Sequence, residues 1–198
     1  SAPQSGPFVP LADPMDKFLV GLPVVAQFWA NRCELRLDAA QRARATLMAS
    51  KSGDGNLTEA WRDNVILDYA GLPASAMSEP QRRDLLALVE LYVGIMDDGH
   101  ARVKMDEVRA HLDRTWFAWI GGTGPESVFY YRIHSPVVLV EFDHQRPVGM
   151  RHLLHPALPT RQHIHTVLRT PNGNDYGKDL LRQHYAQRHA TLSPDRAQ

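Results

Sequence analysis

The sequence predicts an α+β domain, with N-terminal helices packed on an antiparallel β-sheet formed mainly by residues 114–170 and a C-terminal helix. Three observations lead there. Helical periodicity and capping signals dominate the chain up to about Leu112 and return only in a closing segment from Asp179 to His189. Four segments rich in β-branched and aromatic residues succeed one another in the second half. The breaks between the first three of these strands are short, which favours an antiparallel meander over crossover connections. Helices first and strands second is the order of an α+β fold rather than of repeated βαβ units.

Taken in order, residues 1–14 carry four prolines and few large apolar groups and read as an extended arm. Met15 to Trp29 is apolar but interrupted by Gly21 and Pro23. Residues 1–30 therefore read as an arm or partner-packing segment, and 31–198 as one α+β domain. Asp38 is placed to cap a helix reaching about Ala49. Lys51 to Asn56 is a Gly-rich turn, and Trp61 to Tyr69 has no decisive pattern before Gly71 and Pro73. Ser78 with Gln81 forms a capping box and Pro80 suits a first turn, while Leu85, Leu88, Val89 and Tyr92 recur at helical spacing. Gly94 and Asp97-Asp98 mark its end, and a second helix is expected from Met105 to Leu112. The strands are expected at Thr115–Ile120, Val128–Ile133, Val137–Phe142 and His163–Leu168, with a closing helix at Asp179–His189.

Bulk properties narrow the function. Lys+Arg and Asp+Glu both total 22, so no net charge draws the chain to nucleic acid or to an anionic membrane. No apolar run is long enough to cross a bilayer. Cys33 is the only cysteine, so no internal disulfide can form and the compartment stays undetermined. The chain begins Ser1-Ala2-Pro3, as expected of a processed product, an expressed piece or part of a longer chain. Of ten histidines, six lie between His134 and His165.

The H-x-H of Gln162-His163-Ile164-His165 supplies the most specific chemistry. On a strand, residues two apart share a face, so both imidazoles point the same way. By the same alternation Glu141 and Asp143 share a side, as do Tyr130, Arg132 and His134. If the polar sides coincide, His163, His165, His134, Glu141 and Arg132 meet on one face; register decides whether they do. Two histidines and a carboxylate suit a catalytic zinc or a non-haem iron, with copper and nickel also open. The alternative is a buried polar network in which Glu141 pairs with Arg132 or Arg169. Unlike a cupin, the chain has no glutamate soon after the H-x-H, so a carboxylate must come from Glu141, Asp143 or the turn at Asp175. His144, His152 and His155 are further histidines of the loop that precedes the last strand. Arg132 and Arg169 are candidates to hold an anionic group, and Asp143 or Asp175 to act as base.

As an ordered set, Phe117-Ala118-Trp119-Ile120-Gly121, Tyr130-Tyr131-Arg132-Ile133, Glu141-Phe142-Asp143, His163-Ile164-His165 and Arg169 with Asp175-Tyr176-Gly177 resemble the domain of unknown function (DUF) 3500 family. The likeness runs from about Asp38 to Tyr185 and is to the C-terminal portion of longer members. It implies an N-terminal region that is missing here or carried on a separate chain. It implies no settled activity, but it places the H-x-H, Tyr-Tyr-Arg and Glu-x-Asp residues in one recurring pattern.

The expected function is a metal-dependent hydrolase or lyase acting on a small polar or anionic substrate. Its expected metal ligands come from His163, His165, His134 and His144, and its catalytic residues from Glu141, Asp143, Arg132, Arg169 and Asp175. A non-catalytic metal- or ligand-binding module, or a structural half of a larger assembly, is the alternative. A homo-oligomer or pairing with an N-terminal region is the expected association.

Overall fold

The computed structural model of the chain describes Ala30, residues 36–58, 65–147 and 157–171, and His184. The first helix, α1, spans Ala39–Ala45. Asp38 accepts from the Gln41 backbone N–H at 2.8 Å, and the Gln41 side chain accepts from the Asp38 N–H at 3.1 Å. Two orphan donors are thus satisfied reciprocally. The helix stops before Ala49, because Thr46–Met48 forms a strand, β1, instead. β-branched Thr46 begins that strand, and pairing with the sheet outweighs the helical preference of Leu47 and Met48.

A two-residue strand, β2 (Leu72–Pro73), leads through a short 3-10 turn into α2 (Glu79–Val93). Ser78 N–H donates to Gln81 Oε1 at 2.7 Å. Gln41 and Gln81, one from each capping box, also bond to one another, which fastens the starts of α1 and α2 together. Gly94 closes α2. The next helix, α3, spans Asp98–Ala110 and starts seven residues before the expected Met105. Asp97 is the reason: its side chain accepts from the Gly99 N–H, so the acidic pair begins one helix as well as ending another.

The strands β3 (Trp116–Gly121), β4 (Phe129–His134), β5 (Leu139–His144) and β6 (Ile164–Arg169) form an antiparallel meander within a six-stranded sheet of order β1-β3-β4-β5-β6. The sheet is mixed, because β1 joins β3 in parallel while β2 pairs antiparallel further along the same edge. The core lies on one face. Trp119, Tyr131 and Phe142 occupy one cross-strand row; the Trp119 and Tyr131 rings are near parallel at 6.3 Å, and those of Tyr131 and Phe142 at 5.1 Å. Leu85, Leu88, Val89 and Tyr92 of α2 and Met105 and Val108 of α3 join this core. Tyr92 Oη and Tyr131 Oη lie 2.5 Å apart, so helix and sheet share a buried hydroxyl pair. Burial pushes the Tyr92 phenol well above its ordinary range, with the Tyr131 hydrogen bond acting the other way. No described helix is long and apolar enough to cross a membrane. The expected closing helix (His184 apart), the arm and the apolar stretch before Ala30 lie outside the described residues.

Candidate functional site

The register brings the two polar strand faces onto the same side. Tyr130 pairs with Asp143 and Asp143 with His165; Arg132 pairs with Glu141 and Glu141 with Val167; His134 pairs with Leu139 and Leu139 with Arg169. Directly paired residues project to the same face, so Tyr130, Arg132, His134, Glu141, Asp143, His165 and Arg169 all belong to the face opposite the aromatic core.

That face does not gather the candidate ligands around one point. Glu141 and Asp143 are fully buried, beneath the loop of residues 51–58. Glu141 accepts from the Leu57 N–H at 2.8 Å, the Thr58 N–H at 2.9 Å, the Thr58 hydroxyl and the Tyr130 hydroxyl at 2.6 Å. Asp143 accepts from the Gly55 N–H at 2.6 Å, the Asn56 N–H at 3.2 Å and Gln145 Nε2 at 3.0 Å. Its other oxygen lies 2.8 Å from Lys51 Nζ, itself almost fully buried, and the same ammonium reaches the Gly53 carbonyl. A carboxylate offers about four lone-pair sites, so Glu141 is filled, while Asp143 takes three hydrogen bonds on one oxygen and the Lys51 ammonium beside the other. Tyr130 is pushed above its ordinary range by burial and then by the neighbouring Glu141 charge, so it stays a neutral donor to Glu141.

Gly55 permits this approach: a Cβ there would stand 3.0 Å from Asp143 Oδ1 and 3.1 Å from the Tyr130 ring. Its place in the run Ser52-Gly53-Asp54-Gly55-Asn56 is the one signal in the sequence that could have shown the loop's role. Composition alone reads that run as a turn, since the loop's partners lie 83 to 92 residues away.

The histidines separate into three environments. His144 projects to the core face, where its ring meets Phe129 and Phe142 edge-on and Nδ1 lies 2.9 Å from the Phe129 backbone nitrogen. Burial, then the Arg161 charge, pushes it down to about 4. It therefore stands on the opposite side of the sheet from His165, as strand alternation requires of the residue after Asp143. His134 lies at the far end of the polar face, its row four residues along β5 from that of His165, or about 13 Å. It is 4% exposed and meets Tyr69 at a tilt.

His163 and His165 do come together. Their rings meet edge to face with centroids 4.8 Å apart and Nε2 atoms 3.1 Å apart. His163 Nδ1 donates to the Arg146 carbonyl at 2.5 Å, which fixes the tautomer and leaves Nε2 as a lone pair. Arg146 is held by Asp54: its backbone N–H and guanidinium both donate to that carboxylate, the closest contact being 2.7 Å. This bonding holds Asp54 below the usual carboxylate range. The loop that seals the carboxylates therefore also steadies the residue that orients His163. Among the described residues, no group of three or more His, Cys, Asp or Glu side chains could hold a metal ion. Asp175, His152 and His155 lie outside the described residues.

The fold and site define an α+β domain whose mixed sheet has an apolar face under helices and an ionisable face under an irregular loop. The family model described as protein of unknown function (DUF3500) matches residues 31–178, and the chain belongs to that family. No curated protein and no solved structure matches the chain.

Proposed function

We propose that the chain is a metal-dependent enzyme of hydrolase or lyase type, acting on a small polar or anionic substrate, with zinc or iron held by His163 and His165. The observation that carries this reading is the pair of Nε2 atoms 3.1 Å apart, one with its tautomer set by the Arg146 carbonyl. Metal–nitrogen bonds of 2.0–2.1 Å in tetrahedral geometry put two imidazole nitrogens about 3.3 Å apart, close to that spacing. A backbone carbonyl on the far ring nitrogen is the usual outer-sphere partner of a ligating histidine. Without metal, the same approach is an N–H···N hydrogen bond from His165 to His163, so ion and proton compete for one position.

Two histidines and one carboxylate would leave a coordination position for water or substrate, the condition for catalytic rather than structural metal. The metal would supply a Lewis acid and a water of lowered pKa. Glu141 and Asp143, full of other hydrogen bonds, suit the work of holding loop 51–58 better than that of ligand or base. The carboxylate role passes to Asp175 in this reading.

Metal analysis of the purified chain tests it. About one equivalent of zinc or iron is expected, lost in the His163→Ala, His165→Ala double variant. Less than about half an equivalent of any transition metal, unchanged by the double substitution, would sink the reading. A second reading, a binding module without catalysis, is favoured by the engagement of both central carboxylates. It predicts full metal loading with no turnover across ester, phosphoester and hydroxy-acid substrates.

A further inference from the structure

The structure points to a second site at the other end of the polar face: we propose that Arg132 and His134 bind a small oxyanion, a carboxylate or a phosphate, beneath a lid formed by Asp68 and Tyr69. This inference does not rest on the metal reading, because neither His163 nor His165 contributes to it.

Arg132 is 5% exposed, yet its only described polar contact is a long one, from Nη2 to the Asp68 carbonyl at 3.4 Å. Among the described residues its Nε has no hydrogen-bond partner. Glu141, directly opposite on β5, is engaged with Leu57, Thr58 and Tyr130 and forms no described ion pair with it. A buried guanidinium with an idle donor is a strongly unfavourable element unless something meets it. Its planar fork is shaped for oxyanions.

His134 is the next residue on the same face, and among the described residues its Nδ1 also has no hydrogen-bond partner. Burial and then the Arg132 charge push its pKa down to about 4, against a backbone hydrogen bond with Asp68 that acts the other way. A neutral imidazole beside the arginine adds a hydrogen-bonding group without adding a second positive charge. The two idle nitrogens belong to residues i and i+2 of one strand, so one ligand can meet both.

What covers them is a short irregular segment. Tyr69 is 41% exposed, stacks on Trp116 with centroids 4.2 Å apart and meets His134 at a tilt, with centroids 4.4 Å apart. Residues 65–70 carry no regular secondary structure. They enter β2 through Gly71, whose φ of 96° is open to glycine and strained for other residues. A Cβ there would lie 2.2 Å from the Phe117 carbonyl oxygen. The lid thus has a fixed base and a free outer surface, held mainly by ring stacking and by the Asp68 backbone contacts.

Titration of the full chain with inorganic phosphate and with acetate, followed by calorimetry and by the His134 imidazole NMR signals, tests the proposal. Saturable binding of at least one anion is expected, with the His134 signals moving in step. Tighter binding of phosphate assigns a phosphorylated ligand, and tighter binding of acetate a carboxylate. Arg132→Lys should weaken binding by about tenfold or more, since an ammonium lacks the fork. Tyr69→Ala, at a half-exposed position, should retain binding and speed anion exchange, and it serves if Arg132→Lys does not fold. The His163→Ala, His165→Ala variant should bind as the wild type does. Absence of saturable binding to about 10 mM of either anion would overturn the proposal. So would a folded Arg132→Lys variant with wild-type affinity, a Tyr69→Ala variant with unchanged exchange, or loss of anion binding in the double histidine variant.

Discussion

Two pairs of residues on the same sheet face have opposite fates. Glu141 and Asp143 are fully buried, Glu141 held by four hydrogen bonds and Asp143 by three and the Lys51 ion pair. His163 and His165 sit toward solvent, and beyond the contact they share only His163 has a described side-chain bond, to the Arg146 carbonyl. Both pairs have the i, i+2 spacing and both are chemically able to ligate a metal. The difference lies in what the rest of the chain offers them. Loop 51–58 presents four backbone N–H groups, a hydroxyl and an ammonium to the acids, and it reaches the histidines only indirectly through Asp54 and Arg146. Residue type nominates a site, but the accounting of lone pairs and donors decides which nominees remain free to act.

The largest effect should come from breaking the buried pair. Glu141→Ala removes the acceptor for three buried donors and the Leu57 N–H, which then lose their bonds in a site closed to water. The expected loss is about 3–5 kcal/mol, read from urea unfolding, with loop 51–58 becoming open to proteolysis. Loss of less than about 1 kcal/mol would show that the acid does not hold the loop and would make it a candidate ligand again. Asp143→Asn should cost somewhat less, about 2–4 kcal/mol, because it strands the buried Lys51 charge but keeps an oxygen for the backbone donors.

This division is legible in the sequence only in part. The strands can be read to within one or two residues because the pattern of β-branched and aromatic residues is strong from Trp116 to Phe142. Alternation groups the polar residues within each strand, and the register then brings the sides bearing Arg132, Glu141 and His165 together, which alternation alone leaves open. The start of α3 escapes the pattern because Asp97-Asp98 suits a helix end and a helix start alike. The role of loop 51–58 is hidden for a deeper reason. Its contribution is made by backbone N–H groups, which nearly every residue has, so the side-chain pattern carries almost no trace of it beyond Gly53 and Gly55.

A pH dependence sharpens the contrast between buried and open histidines. His144 and His134 are both pushed down to about 4 from 6.5 by burial first. Between those values the unfolded chain binds protons that the folded chain does not, so stability rises with pH across that window and is lost as pH falls through it. The combined loss from pH 6.5 to 4 should amount to several kcal/mol. His144→Gln should flatten this slope without touching metal content, because its ring lies on the core face. An unchanged slope in a folded variant would show that His144 is not held neutral by the core.

The smallest change in stability should accompany the most informative change in binding. Asp54→Ala cuts the bonds that hold Arg146, but the pair is at the surface and such pairs add little to folding. The urea midpoint should therefore stay where it is. Arg146 nonetheless presents its carbonyl to His163 Nδ1, and loosening it frees the ring to change tautomer and rotate. Outer-sphere changes of this kind weaken metal binding by about 10- to 100-fold, and zinc titration of Asp54→Ala should fall toward the lower end because the carbonyl is displaced rather than deleted. Unchanged zinc affinity in this variant would mean that the backbone pairing of Gln145 with His163 alone orients the ring. The buried centre of the face and its open edge would then be independent, and loop 51–58 would serve the fold without serving the site.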